Sequence, residues 1–431
     1  MTIDLFTFFI IVILVALWII FARRIVVYFG NIFYLFLAIL YVSNLGYLHE
    51  VQLTFRCFAI SLPWMYILFV MKGKIALIKC NYALILLFYL FVCLISTFWS
   101  TSPIQTFFKS IELITDVIVI WYLYSIESNR NKFIVKSINL LMGLSACLLT
   151  VTMMGFFLVP SYFANTGYSS SQTILGIRIG EGLIGANQTG AVSILVLAWF
   201  ILLIYNKNLL GYCILFISLI AMLFSQSRAS LILIPLIAFL RLFKPKSKYT
   251  SLYLMLIFVI LLFLAINIDL LLSYLLRGQS AADFNSLSGR KMIWSYAFEY
   301  ISKCPILGYG FGAGGELVGQ VLPGAFNGLQ HMHNGIVETL LGTGTLGCIL
   351  IVLPYLFISL TVFKRLLKEG IKNNLYDIVI LSFFAIRTYT SLGIGSWQSL
   401  EIIIWYVFIF NMSSKNVNIQ GAFKLNGDNI K

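Results

Sequence analysis

The chain has 431 residues, of which 61% are hydrophobic and 10% charged, and carries a net charge of +14. That composition excludes a soluble globular protein and reads as a polytopic membrane protein. In a soluble chain such a charge would suggest nucleic acid, but here most of it lies in short loops, where it sets topology instead.

A helix needs ~20 apolar residues to cross a bilayer, and shorter ones are tolerated inside a bundle. Taken in chain order, the apolar runs predict spans at 4–22, 25–43, 53–71, 82–99, 105–125, 134–159, 189–205, 209–224, 229–243, 250–272, 335–362, 375–392 and 399–413. The runs at 209–224 and 229–243 are short, so the expected count is 12–13 transmembrane helices in an all-α fold. Arg23 and Arg24 follow the first apolar run rather than precede it, which argues against a signal peptide and puts the short N-terminus outside.

Alternation from that start places 20 of the 29 arginines and lysines on one face. They are Arg23, Arg24, Lys72, Lys74, Lys79, Arg130, Lys132, Lys136, Lys207, the basic residues from Arg241 through Lys248, then Lys364, Arg365, Lys368, Lys372, Lys415, Lys424 and Lys431. Positive charge marks that face as cytoplasmic. Residues 1–431 are expected to form a single integral membrane domain with a cytoplasmic tail at 414–431 and one large outer loop at 273–334. A loop of that length is functional or carries its own structure. Within it, 290–303 reads as a helix with Ile293, Ala297, Tyr300 and Ile301 on one stripe, ended by Pro305. The glycine run from Gly308 to Gly315 reads as a flexible turn, without the preceding strand or the opening helix of a dinucleotide fingerprint. Seven scattered cysteines (Cys57, Cys80, Cys93, Cys147, Cys213, Cys304 and Cys348) show no metal-ligand spacing, so neither a disulfide nor a structural zinc is expected.

The residues able to do chemistry gather on the outer face. Two of the three histidines fall in Gln330-His331-Met332-His333-Asn334, just before an apolar helix. An ionisable group at a membrane mouth is a functional candidate, and nearby cations with partial burial would keep His333 neutral and able to accept a proton. The structural alternative is a capping pair, with Asn334 as N-cap and His331 merely interfacial. Arg228, in Ser227-Arg228-Ala229-Ser230, sits on the face that arginines avoid; it either meets a specific anion or snorkels to headgroups. Arg290 opens the loop helix, where a guanidinium fork suits phosphate oxygens, against the alternative of a solvated helix end. Arg178 and Arg277 lie in polar loops where solvated arginines are common. Lys109, Glu112 and Asp116 share one helix face and read as a self-neutralising cluster, and Arg387 with Glu401 reads as an internal ion pair. No P-loop, metalloprotease or nucleophile-elbow pattern is present, and no acidic metal pair suggests itself, so a metal-independent reaction without cofactors fits better.

Three segments together resemble the O-antigen ligase/polymerase superfamily (Wzy/WaaL type): His333-Asn334 followed after nine residues by Gly344-Thr345-Leu346-Gly347; Ser227-Arg228-Ala229-Ser230 before an apolar run; and Gly289-Arg290 with Ile293-Trp294, then Pro305-Ile306-Leu307-Gly308-Tyr309-Gly310. They cover about the C-terminal half. The resemblance implies a GT-C-like membrane glycosyltransferase of the bacterial inner membrane with its active site facing the periplasm. It would take glycan from an undecaprenyl-diphosphate-linked donor, with inversion, and pass it to a lipid-linked or lipid A-core acceptor. His333 would assist the acceptor hydroxyl, and Arg228 and Arg290 would hold the diphosphate. A chain-length regulator is a candidate partner and nucleic acid is not. O-antigen or capsule/exopolysaccharide polymerisation is favoured for the compact outer loop. Ligation to lipid A-core does the same bond chemistry, and a transporter of lipid-linked glycans is the non-enzymatic alternative, disfavoured by the absence of related halves.

Overall fold

The computed structural model describes residues 30–44, 49–73, 82–127, 130–163, 178–179, 183–204, 209–242, 289–322, 331–391, 393–394 and 400–412. Expected spans 4–22 and 250–272, Arg277 and the tail 414–431 lie outside the described residues. The protein is an all-α polytopic membrane protein, with no strand among the described residues. Its helices in chain order are α1 (Ile32–Ser43), α2 (His49–Met65), α3 (Ala83–Ile95), α4 (Pro103–Ile126), α5 (Arg130–Leu158), α6 (Pro160–Phe163), α7 (Ala186–Ala198), α8 (Leu209–Ser225), α9 (Arg228–Leu231), α10 (Leu233–Leu242), α11 (Arg290–Lys303), α12 (Gly314–Val321), α13 (Gly335–Glu369), α14 (Leu375–Thr390) and α15 (Leu400–Met412). Short 3-10 or π turns extend α2, α3 and α7. Among the described residues, four segments are long and apolar enough to cross a membrane: Leu53–Val70, Asn131–Leu158, Ala186–Leu203 and Gly335–Glu369.

α15 is apolar except for Glu401 and Asn411 and every residue of it is buried, which places it inside the bundle. It packs against α4, α5, α7 and α13, and α1 closes on α2, α4 and α5. Outward-facing Phe69, Phe88, Phe157, Phe216, Ile349 and Leu367 are exposed, as a lipid-facing surface requires.

Hydrogen bonds join segments at the ends of several helices. Thr101 N donates to Tyr309 O at 3.0 Å, Ile179 N to Phe224 O at 3.1 Å, and Arg290 Nη1 to Thr390 O at 2.8 Å. The Arg387–Glu401 ion pair forms at 2.6 Å with both side chains buried.

Two sequence readings are corrected. Lys109, Glu112 and Asp116 are not a self-contained cluster. Glu112 is held by Arg56 from α2, whose Nε donates to Oε1 at 2.8 Å and Nη2 to Oε2. Lys109 Nζ donates to Gly312 O at 2.6 Å, and both oxygens of buried Asp116 make no hydrogen bond. A guanidinium fork from a neighbouring helix satisfies a buried carboxylate at two points, which a lysine one turn away does not.

The second correction concerns the glycines and the helix 335–362, which the sequence reads as unbroken. α13 is broken at Gly344 (φ 66°, ψ −165°). The broken turn frees backbone groups inside the protein, and the Pro305–Gly310 segment threads past to satisfy them: Tyr309 N donates to Leu341 O at 2.7 Å, Gly310 N to Gly342 O at 2.8 Å, and Thr345 N to Pro305 O at 2.8 Å. A Cβ on Gly344 would run into the Ile306 carbonyl, and one on Gly308 would lie 2.7 Å from the Gly342 carbonyl carbon. The glycine run is thus tightly packed rather than a flexible turn, and a helix, α12, does open on its last two glycines.

Candidate active site

His331 and His333 stand on a three-residue turn before α13. Asn334 is the N-cap, its Oδ1 accepting from Ile336 N at 3.0 Å and Val337 N at 3.2 Å, as the sequence suggested. His333 has φ 51°, a left-handed conformation rare for a histidine and common at sites that must aim a side chain. Met332 between the histidines is fully buried against Ile293, Ala297, Val318, Leu322, Val337 and Leu341. Trp294 Nε1 donates to Met332 O at 2.9 Å from outside, and Met332 N donates to Glu338 Oε2 at 2.8 Å inside. With Met332 turned in, both imidazoles are left half-buried at the rim, ring centroids 4.3 Å apart and edge-on.

The loop helix α11 runs Arg290–Lys303, the span the sequence predicts, with Ile293 and Ala297 buried and Trp294, Tyr300 and Ile301 packed beside them. Its left-handed N-cap Gly289 starts it at Arg290, whose guanidinium reaches the last carbonyl of α14 at Thr390. Cations complement that end of a helix. The Trp294 and Tyr389 rings meet edge-on at 5.8 Å, fixing α11 over the outer end of α14.

Desolvation lowers His333 most, and the charges of His331, Arg290 and Arg387 lower it further, to about 3 from the usual 6.5. His331 is lowered by desolvation first, then by Arg290 and Lys109. Both rings are therefore neutral at pH 7, as acceptors must be. The same cations that make protonation unfavourable make the surroundings of the histidines attractive to an anion.

Arg228 is half-buried at the first residue of α9, after the turn in which Gln226 takes φ 52°. α9 packs on α7 and α14. A Cβ on Gly190 of α7 would collide with Ser227, so the Ser225–Ser227 turn is pressed onto α7 through a glycine. Arg228 thus lies beside the helix that carries Arg387 and receives Arg290.

Arg178 is buried, not solvated as its polar loop suggested. Its Nε donates to Ser225 O at 3.0 Å and its Nη2 to Asn187 Oδ1 at 3.3 Å, capping the end of α8. Arg387 donates to Asn187 O at 3.5 Å while holding Glu401, so Asn187 ties the two arginines together. Arg387 as a neighbour of His333 escaped the sequence reading, which saw only its ion pair; its place near the outer end of a span was the available signal. Glu338 and Trp294 were also missed as partners of the histidine turn, since backbone hydrogen bonds leave no trace in residue type.

Residues 213–352 match the family model described as O-antigen ligase. The match covers roughly a third of the chain and supports its place in the O-antigen ligase/polymerase superfamily, whose members are glycosyltransferase-like enzymes. His331, His333, Asn334, Arg228 and Arg290 fall inside the matched segment, and Arg178 and Arg387 outside it. No curated protein matches the chain in sequence.

Proposed function

We propose that the protein polymerises undecaprenyl-diphosphate-linked repeat units of O-antigen, capsule or exopolysaccharide at the periplasmic face of the bacterial inner membrane. The observation that carries this reading is a neutral, backbone-strained His333 standing among cations at the lipid boundary. The donor enters sideways from the outer leaflet, its diphosphate drawn toward Arg228 and Arg290. His333 takes the proton of the acceptor hydroxyl as that oxygen bonds to the anomeric carbon. The bond from that carbon to the diphosphate oxygen breaks with inversion, and the diphosphate leaves with the electron pair, its charge stabilised by the guanidinium groups. The arriving diphosphate also raises the basicity of His333, because an anion beside an imidazole favours its protonated form. A base too weak in the empty pocket thereby approaches the strength that proton transfer at neutral pH needs. No step requires a metal or cofactor.

The deciding experiment is His333→Ala in a purified-donor assay. Insertion and yield should match the parent while turnover falls ~10²–10⁴-fold, the usual worth of a general base. Near-parental turnover would remove His333 from the mechanism. The family description favours a second reading, ligation of finished glycan to lipid A-core. Surface-glycan gels of a deletion strain separate the two: core bearing one repeat indicates the polymerase, bare core with long lipid-linked chains the ligase.

A further inference from the structure

His333 at φ 51° is in the left-handed region, a strain that the surroundings must offset. Glu338 is an unexpected part of what does so. It lies in the first turn of α13, only 4% exposed, with Oε2 on Met332 N at 2.8 Å and Oε1 making no hydrogen bond among the described residues. Asn334 already caps the helix, so Glu338 is not needed there. A buried carboxylate is costly in a membrane protein and marks function by default. The nearby Lys109 charge compensates it from α4, itself tied to the glycine turn at Gly312 O.

We propose that Glu338 is a positioning residue: its carboxylate latches the backbone between the two histidines and so holds His331 and His333 in place beside Arg290 and Arg387. Trp294 grips the same residue, Met332, from the other side through its carbonyl. The two hold one peptide unit each side of Met332 and leave the strained turn no room to relax. The consequence for turnover rests on the role given to His333 above; the consequence for the turn does not.

The test compares Glu338→Ala, Glu338→Gln and Trp294→Phe in the full chain. Turnover is one readout; the other is NMR titration of labelled histidines, of which the chain has three, His49, His331 and His333. The charged groups facing His333 are Arg290 of α11, Arg387 of α14 and His331, with Lys109 of α4 facing His331, and none of them is altered. Glu338→Ala should lower kcat ~10²-fold with donor KM little changed, as misplacement of a catalytic group does, and His333 should titrate closer to 6.5 as its ring gains water. Glu338→Gln loses the same charge but keeps an acceptor for Met332 N–H, and should restore both readouts. Trp294→Phe should move the titration in the same direction by less. An unchanged His333 titration in Glu338→Ala, or a Glu338→Gln protein as impaired as Glu338→Ala, overturns the proposal. Should Glu338→Ala not accumulate, Trp294→Phe decides alone, and an unchanged titration there overturns it too. A titration that moves as expected in a chain whose parent transfers no glycan upholds the latch and discards the glycosyl-transfer reading.

Discussion

The two ends of the helix bundle both use glycines at positive φ, for different reasons. At the end with the basic loops, Gly30, Gly73 and Gly370 have no described atom within 4 Å of where a Cβ would stand. At the other end, Gly308, Gly310, Gly344 and Gly393 each face backbone or a serine or threonine side chain at distances no Cβ tolerates. There glycine lets two segments touch. Both ends hold an ion pair, in different settings. The basic end pairs half-buried Lys136 with Glu127 at 2.6 Å, with Tyr34 joining at 3.3 Å. At the site end Arg387 and Glu401 pair at 2.6 Å with both side chains buried, while Arg290 and Arg178 donate to carbonyls. One end closes a membrane bundle; the other keeps strained backbone and cationic charge around the histidine turn.

The largest expected effect sharpens the glycine comparison directly. Gly344 (φ 66°, ψ −165°) and Gly370 (φ 76°, ψ 169°) occupy nearly the same backbone region and differ in their neighbours. Alanine at either costs the strain of ~1–3 kcal/mol. At Gly344 the collision with the Ile306 carbonyl adds to that, and the variant should fail to accumulate or melt far below the parent. Equal melting of the two variants in detergent would mean that threading of 305–310 through α13 contributes nothing.

Within the site end, Arg228→Lys keeps the charge and loses the fork. Turnover should drop ~10²-fold, the scale of removing one donor to developing charge. Full activity would reduce Arg228 to a lipid anchor.

The pH profile comes next. His333 must be neutral to accept a proton, so activity is present above its pKa and lost as pH falls through it. With the empty site holding it near 3, the acid limb of kcat/KM should lie well below 6.5, and the limb of kcat, with diphosphate bound, should lie higher. A kcat/KM limb at or above 6.5 contradicts the cationic pocket. The smallest effect belongs to the basic end: Glu127→Gln should cost no more than ~1 kcal/mol and leave turnover unchanged. A loss of turnover there would couple the two ends and break the distinction between them.

Much of this was legible in the sequence because the causes are local. Asn334 before a helix caps it, Pro305 follows the end of α11, and Arg387 and Glu401 had few partners other than each other. Arg178 was misread because a polar loop says nothing of which helix end it will reach. The partner of Glu112 comes from α2, 56 residues away, and no helical periodicity encodes it.

Sequence alone determined the all-α membrane class, because hydropathy acts on each segment independently. Only the tertiary structure decided that α13 breaks at Gly344, that the glycine segment repairs the break, and that Glu338 and Trp294 hold the histidine turn. Those features depend on backbone groups finding partners across the fold, and every residue's backbone carries the same groups.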